Sequence, residues 1–253
     1  MVKNSTSARS PLSPTRWPRS AFVWWGSLLL AAAVVVAAFF ASSLIAEVLV
    51  TQYGLNVLRQ PPAWSAILLQ TFGVYVPVLL VFGWGLPWLA QRSWRELGLR
   101  RPTLGDVAWG ATGAVLMFVA IEAVGALEEH LVHTKISETA VELLKSTRGP
   151  MVYLFAAFAC IAAPFVEELV FRGFLFNAFL RYTPPVVAVV LSGALFGAAH
   201  GDPHSWPAML PLAAGGLVLG TFYYRTGSLA VSMIAHATFN LISVIGLLVF
   251  HAA

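Results

Sequence analysis

Two adjacent acids and an arginine are the first candidates for chemistry, because they interrupt the strongly apolar run 164–176. An ionised group near the centre of a membrane helix costs about 2.5–3.5 kcal/mol, so such groups usually face a partner or a water-filled cavity. On an α-helix Glu168 and Arg172 stand at i and i+4, where they can form an ion pair. Glu167 points about 100° away from Glu168 and is left as a general base or a metal ligand. The alternative is structural: a buried ion pair fixes the helix packing, and Glu167 faces a pore.

Three further polar residues lie in apolar stretches of the second half of the chain. His200 ends one stretch, whereas His236 and Asn240 stand at i and i+4 on one face of the last stretch. A lone histidine on a helix is usually a packing residue, but burying both His236 and Asn240 in a membrane requires partners. All three could converge with Glu167 around one buried water. Glu167 would take the proton of that water, His200 would orient it, and His236 with Asn240 would donate hydrogen bonds to the oxyanion.

The same side chains allow a zinc site, with Glu167, His200 and His236 as protein ligands and water as the fourth ligand. The sequence contains neither a His-Glu-x-x-His helix nor a Gly-x-Ser-x-Gly elbow. The residues do not choose between a metal-free site, which we prefer, and a zinc site. Asp202 and His204, in the polar turn after His200, are weaker candidates for metal ligands.

The composition identifies the environment of these residues. The chain has 253 residues, of which 58% are hydrophobic and 10% are charged, whereas about 25% of the residues of soluble domains are charged. A membrane span takes about 20 apolar residues. The sequence therefore predicts an all-α, polytopic integral membrane helix bundle with about seven transmembrane helices. The net charge of +4 comes from basic residues beside the spans, which indicates orientation in the bilayer and not a nucleic-acid partner.

The chain divides into three predicted regions. Residues 1–20 form a disordered basic tail, and residues 21–103 form a transmembrane hairpin with a basic loop. The positive-inside bias places both the tail and the loop in the cytoplasm. Residues 104–253 form the transmembrane core, with the polar segment 128–149 as an exterior amphipathic helix. The predicted spans are 21–50, 63–90, 104–127, 151–182, 186–200, 207–224 and 229–250.

Three polar motifs, in this order, resemble the signature motifs of the CPBP family of intramembrane proteases, which includes CAAX prenyl endopeptidases and bacteriocin-processing and self-immunity proteins. They are Glu167-Glu168-x-x-x-Arg172, Phe196-x-x-x-His200 and His236-x-x-x-Asn240. The stretches 97–102 and 216–229 are also similar to that family, and the resemblance covers roughly residues 92–245. It implies that Glu167 is the catalytic glutamate and that Glu168 and Arg172 support it. The residues that complete the site are then His200, His236 and Asn240.

The expected function is an intramembrane endopeptidase of the bacterial cell membrane that cleaves membrane-associated or lipid-modified peptides, prenylated ones being one option. The resemblance leaves the metal question open, since the family has been described both as metalloproteases and as glutamate-dependent proteases. A non-proteolytic scaffold or bacteriocin-immunity protein is the alternative function. One geometric difficulty stands: at 1.5 Å per residue, Glu167 and His200 lie about 21 and 22 Å deep, but His236 lies only about 12 Å deep. A single site requires tilted or kinked helices.

Overall fold

The structure is a computed structural model that describes residues 75–80, 95, 98–133, 141, 144–145, 149–201 and 206–251. All regular elements in these ranges are helical, as the sequence predicts. The predictions for the tail 1–20, the first span 21–50 and the pair Asp202 and His204 lie outside the described residues. Most of the second span 63–90 also lies outside them.

Six helices are numbered here in chain order. The first, α1, is a short piece of the predicted second span. The third, α3, combines α-helical and π-helical turns. The bounds are α1 Val76–Val78, α2 Leu104–Val132, α3 Met151–Tyr182, α4 Pro185–Ala198, α5 Met209–Thr226 and α6 Leu229–His251, with a 3₁₀ turn at Trp206–Ala208 before α5.

Three of the described helices, α2, α3 and α6, are long and apolar enough to cross a membrane. The predicted span 186–200 is the helix α4, which has 14 residues and is shorter than the roughly 20 residues a span needs. The predicted span 207–224 is the 18-residue helix α5. The helical structure of these two segments is confirmed, but the count of about seven spans is not. Helix α2 also continues past the predicted end at residue 127 to Val132, where His133 adopts a left-handed conformation.

The start of α2 is fixed by a polar cluster in the basic loop. The Thr103 side chain accepts from the backbone N–H of Asp106, and the Asp106 carboxylate accepts from the backbone N–H of Thr103, which is a capping box. Arg100 adds two hydrogen bonds of 2.7 Å to the same carboxylate. The loop also contacts α6, because the N–H of Leu229 donates to the carbonyl of Gly98 at 3.0 Å. The two outlying stretches of the resemblance thus touch each other.

Glycines let α4 and α5 pack closely. A Cβ atom on Gly216 would lie 2.9 Å from the backbone of Gly193, and one on Gly193 would lie 2.8 Å from Leu217. A Cβ atom on Gly220 would meet Val189 at an ordinary 3.6 Å. Close approach therefore depends on Gly193 and Gly216, one from each helix.

The main core lies where α3, α4, α5 and α6 meet. Large side chains from all four helices are fully buried there, and their packing holds the polar residues of α3 away from the surrounding lipid. These fully buried side chains are Leu169, Phe176, Phe196, Leu219 and Leu229.

Candidate active site

The backbone of α3 is irregular on both sides of the two glutamates. Phe158–Ala162 is π-helical, Ala163–Glu168 returns to the α form, and Leu169–Phe176 is again π-helical. π-Helical turns are rare and often occur at functional sites. The short α-helical piece between them carries Glu167 and Glu168 at its end.

Asn240 supports the first π-helical turn. In that turn the N–H of Ala163 donates to the carbonyl of Phe158, five residues back. The next bond in the series would run from residue 164 to Ala159, but residue 164 is proline and has no N–H. The side-chain amide of Asn240 donates to the carbonyl of Ala159 instead, at 2.7 Å. Asn240 thus satisfies the acceptor that Pro164 leaves open.

The predicted ion pair of Glu168 and Arg172 is confirmed. Nη1 of Arg172 lies 2.8 Å from Oε1 of Glu168, and both side chains are 0% exposed. Nη2 of Arg172 donates to the carbonyl of Gly216 at 2.9 Å, and the guanidinium lies 4.7 Å from the ring centre of Phe196. A buried pair of this kind is stable only when further hydrogen bonds complete it. The close approach of α5 at Gly216 brings one such acceptor to Arg172.

His236 joins the same carboxylate, a contact that spacing along the sequence does not indicate. Its Nδ1 lies 3.0 Å from Oε1 of Glu168. Because a carboxylate paired with arginine can only accept, Nδ1 of His236 is the donor, and in a neutral ring Nε2 then carries a lone pair. Glu168 therefore orients both Arg172 and His236.

His200 is oriented in a similar way by its own helix. Its Nδ1 lies 2.8 Å from the carbonyl oxygen of Phe196. A carbonyl only accepts, so Nδ1 is again the donor and Nε2 is directed elsewhere. The ring also packs against the ring of Phe196, with centroids 4.7 Å apart.

The Nε2 atoms of both imidazoles lie near Glu167. Nε2 of His200 lies 3.7 Å and Nε2 of His236 lies 3.9 Å from Oε2 of Glu167. This oxygen is buried and has no hydrogen-bond partner, which is uncommon for a buried polar atom and points to a site for a small polar group. The estimated difference in depth does not keep His236 away from Glu167.

The other oxygen of Glu167 has a partner that the sequence analysis missed. The hydroxyl of Tyr75 donates to Oε1 of Glu167 at 2.6 Å. Tyr75 precedes α1, in the region assigned to the hairpin and not to the core. Its only signal in the sequence is a phenol within an apolar span, where the O–H needs an acceptor.

The predicted site residues therefore fall into two groups. Glu167, His200 and His236 face one another. Asn240 has its hydrogen bond to the backbone of the first π-helical turn of α3, and no hydrogen bond between it and those three residues is formed in the described part of the chain. Of the four residues predicted to converge, His200 and His236 therefore lie within 4 Å of Glu167, and Asn240 bonds to the backbone instead.

The predicted zinc ligands fit the metal in kind but not closely in spacing. Two imidazole nitrogens with lone pairs and a carboxylate oxygen make up a His₂Glu set. Their separations of 3.7 and 3.9 Å exceed the distance of about 3.4 Å between ligand atoms of a tetrahedral zinc. Among the described residues, no group of three His, Cys, Asp or Glu side chains is arranged to hold a metal ion. Zinc binding would require the carboxylate and the two imidazoles to move closer together.

Apolar helices that bury a carboxylate beside two imidazoles indicate an integral membrane protein with a polar site inside its helix bundle. Comparison with known proteins makes this more specific. Residues 149–242 match the family model described as Type II CAAX prenyl endopeptidase Rce1-like. The resemblance to the CAAX prenyl endopeptidases is thereby confirmed, and at the level of this family it supports a membrane protease.

Three curated bacterial proteins are similar to the chain over longer segments. The uncharacterized protein YyaK of Bacillus subtilis (strain 168) is 30% identical over 58% of this chain and 47% of its own length. The putative membrane peptidase YdiL of the same strain is 25% identical over 81% of this chain and 82% of its own length. The membrane-embedded CAAX protease MroQ of Staphylococcus aureus (strain USA300) is 28% identical over 57% of this chain and 60% of its own length. The chain thus spans about half the length of YyaK. No solved structure matches it.

Proposed function

We propose that this protein is an intramembrane endopeptidase in which Glu167 activates a water molecule for peptide-bond hydrolysis. One observation carries the proposal: Oε2 of Glu167 is buried, has no hydrogen-bond partner and faces the Nε2 atoms of His200 and His236. A carboxylate that takes no part in the ion pair of Glu168 and Arg172 is suited to accept a proton from water. The match to a prenyl endopeptidase family supports the same reaction class.

The hydrogen-bond directions restrict how such a water can bind. With Nδ1 of both imidazoles donating elsewhere, Oε2 of Glu167 and both Nε2 atoms are acceptors when the rings are neutral. A water has two hydrogens, so it can donate to only two of these three atoms. The third contact requires a proton on one imidazole or a cation in that position. We assign the extra proton to His236, which then donates from Nε2.

The reaction follows from these assignments. The water oxygen attacks the scissile carbonyl carbon while its proton passes to Oε2 of Glu167. His200 keeps the water oriented, and the Nε2–H of His236 donates to the oxyanion. The amide of Asn240 has a second hydrogen beyond the one that Ala159 accepts, and we assign it to the same oxyanion. Protonated Glu167 then transfers its proton to the leaving nitrogen as the carbon–nitrogen bond breaks, giving a carboxylic acid, which keeps the second proton of the water, and an amine.

A metal-dependent form of this site uses the same residues. If zinc is bound, Glu167, His200 and His236 would hold it, and the ion would supply Lewis-acid polarisation and a more acidic water. We prefer the metal-free form, since the asparagine that completes the motifs is a poor zinc ligand and a good hydrogen-bond donor.

The proposed substrates are peptides that are themselves associated with the membrane. The site lies among helices that can cross the bilayer, so a lipid-modified or apolar segment can approach it without leaving the membrane. The family description and the name of MroQ, a CAAX protease, favour C-terminal cleavage near a lipidated cysteine. We further place the protein in a bacterial cell membrane, with residues 1–20 in the cytoplasm.

Replacing Glu167 by Gln tests the proposal against the alternative of a non-proteolytic scaffold. The substitution keeps the size of the side chain and removes the proton acceptor, so we expect peptide cleavage to fall by about 10²–10⁴-fold. Glu122, an exposed acid on α2, provides the matched control, because Glu122→Gln makes the same chemical change away from the site.

The assay uses purified protein with a prenylated CAAX-type peptide and a bacteriocin-leader peptide, each with and without a zinc chelator. Cleavage that Glu122→Gln retains and Glu167→Gln loses supports the endopeptidase. Cleavage that stops with chelator and returns with zinc supports the metal-dependent form. If the wild-type protein cleaves neither peptide, or Glu167→Gln cleaves as well as wild type, the proposed mechanism is wrong and the scaffold gains support.

A further inference from the structure

The proposed base has a hydrogen-bond partner outside the three polar motifs. Tyr75 and Glu167 are 92 residues apart in sequence, yet the phenol oxygen lies 2.6 Å from Oε1 of Glu167. Such a distance is typical of an O–H donor on a charged carboxylate, which is among the stronger hydrogen bonds in proteins. The contact is therefore more than incidental proximity of two side chains.

Apolar contacts on either side of Tyr75 hold it in this position. Its ring stands edge-on to the ring of Phe158, with centroids 4.9 Å apart and an angle of 79° between the planes. The following residues Val78 and Leu79 pack against the main core. The segment that carries the phenol is thus packed on α3 and on the core of the bundle by three side chains besides the hydrogen bond itself.

We infer that Tyr75 is a positioning residue that fixes the orientation of the Glu167 carboxylate, so that one oxygen faces the two imidazoles. The inference rests on the proposed function of Glu167. The terminal torsion of a glutamate is broad, so an unrestrained carboxylate takes up many orientations. A phenol bound to Oε1 opposes this rotation and keeps Oε2 directed towards His200 and His236. The base is then held in one orientation before a water or a substrate arrives.

This role extends the site beyond the segment that matches the family model. Residues 149–242 supply the base, both imidazoles and the asparagine, whereas Tyr75 comes from the segment before the core. The segment that carries Tyr75 would then be needed for the geometry of the proposed base. Truncation to the matched segment would remove this restraint.

The variant Tyr75→Phe tests the inference, because it removes the hydroxyl and keeps the ring that packs on Phe158. We expect kcat for peptide cleavage to fall by about 10–100-fold, as misplacement of a catalytic group does. KM should stay within about twofold, since the phenol contacts the proposed base and not the substrate. The matched control is Tyr153→Phe, because Tyr153 lies on the same helix as Glu167 but is 77% exposed. If kcat of Tyr75→Phe equals that of Tyr153→Phe, the inference is wrong.

An infrared measurement tests for the hydrogen bond between Tyr75 and Glu167 without any substrate. In protein with isotope-labelled tyrosine, the infrared C–O stretch of a phenol depends on its acceptor. We expect a difference between wild type and Glu167→Gln that disappears when both proteins also carry Tyr75→Phe. A difference that persists in the Tyr75→Phe background, or none at all, contradicts the inference. Absence of cleavage by the wild-type protein would refute the proposed function, whereas the infrared difference would still establish or refute the restraint.

Discussion

The contact between Asn240 and the carbonyl of Ala159 gives a prediction about two distant residues. Pro164 removes the N–H that would bond this carbonyl in the first π-helical turn, and Asn240 supplies a side-chain N–H at 2.7 Å in its place. Asn240→Ala should therefore leave the carbonyl unsatisfied. Pro164→Ala restores a backbone N–H at residue 164, so it should reduce the cost of losing Asn240.

The size of the effect follows from the hydrogen bond that is lost. A partly buried acceptor left without a partner costs about 1–3 kcal/mol. For a chain of this size, each kcal/mol lowers the thermal midpoint by about 2–4 °C. We expect Asn240→Ala to lower the midpoint by a few degrees in the wild-type background and by less than half as much in the Pro164→Ala background.

Thermal unfolding of the four proteins in one detergent measures this coupling. Asn177→Ala serves as the control, because Asn177 donates to the carbonyls of Arg172 and Gly173, which Pro164 does not affect. Asn177→Ala should lower the unfolding midpoint by the same amount with and without Pro164→Ala, as expected for independent sites. If Asn240→Ala costs the same in both backgrounds, Asn240 does not replace the missing N–H, and the explanation of the first π-helical turn fails.

Two further changes test the packing that positions the site. Arg172→Met leaves the buried carboxylate of Glu168 without its cation and with only the hydrogen bond from His236, so we expect it to destabilise the protein by about 3–5 kcal/mol. The double variant with Glu168→Gln should be more stable than Arg172→Met alone. Thermal unfolding of the three proteins checks this, and a double variant no more stable than the single one contradicts it. Gly193→Ala places a Cβ atom 2.8 Å from Leu217, whereas Gly220→Ala meets Val189 at 3.6 Å. Gly193→Ala should therefore lower the unfolding midpoint and Gly220→Ala should leave it nearly unchanged, while equal midpoints would refute the close contact of α4 and α5.

Local spacing predicted the parts of the site that lie within one helix. The i and i+4 positions of Glu168 and Arg172 indicate their ion pair, and the separation of Glu167 from that pair leaves its carboxylate for another role. Both follow from helical geometry and the cost of burying charge. The resemblance of the three motifs to a protease family was likewise visible in the sequence and is confirmed by the family match.

Contacts between helices could not be predicted in the same way. The hydrogen bond from His236 to Glu168 depends on how α6 crosses α3, and no spacing along the chain encodes that crossing. The hydrogen bond from Asn240 to Ala159 could not be predicted, because the π-helical turn that leaves this carbonyl without a backbone donor is not visible from the residue types. Donation by Asn240 to an oxyanion stays a prediction. Tyr75 was missed because a single phenol in an apolar span does not indicate its acceptor.

The number of membrane spans could not be predicted from the sequence either. Apolar composition gives the total length of buried helix but not how it is divided, and α4, with 14 residues, is apolar without being long enough to cross a bilayer unaided. The depth estimate for His236 failed for a related reason. It assumed straight helices that start at one level, whereas Nε2 of His236 lies 3.9 Å from Oε2 of Glu167, closer than that assumption allows.

The most direct test of the central claim is peptide cleavage in water enriched in ¹⁸O, with the products of wild type and Glu167→Gln analysed by mass spectrometry. A water activated by Glu167 predicts one solvent oxygen in the new carboxylate of the wild-type product and about 10²–10⁴-fold less product from Glu167→Gln. Equal product from the two proteins, or product without solvent oxygen, would contradict the claim.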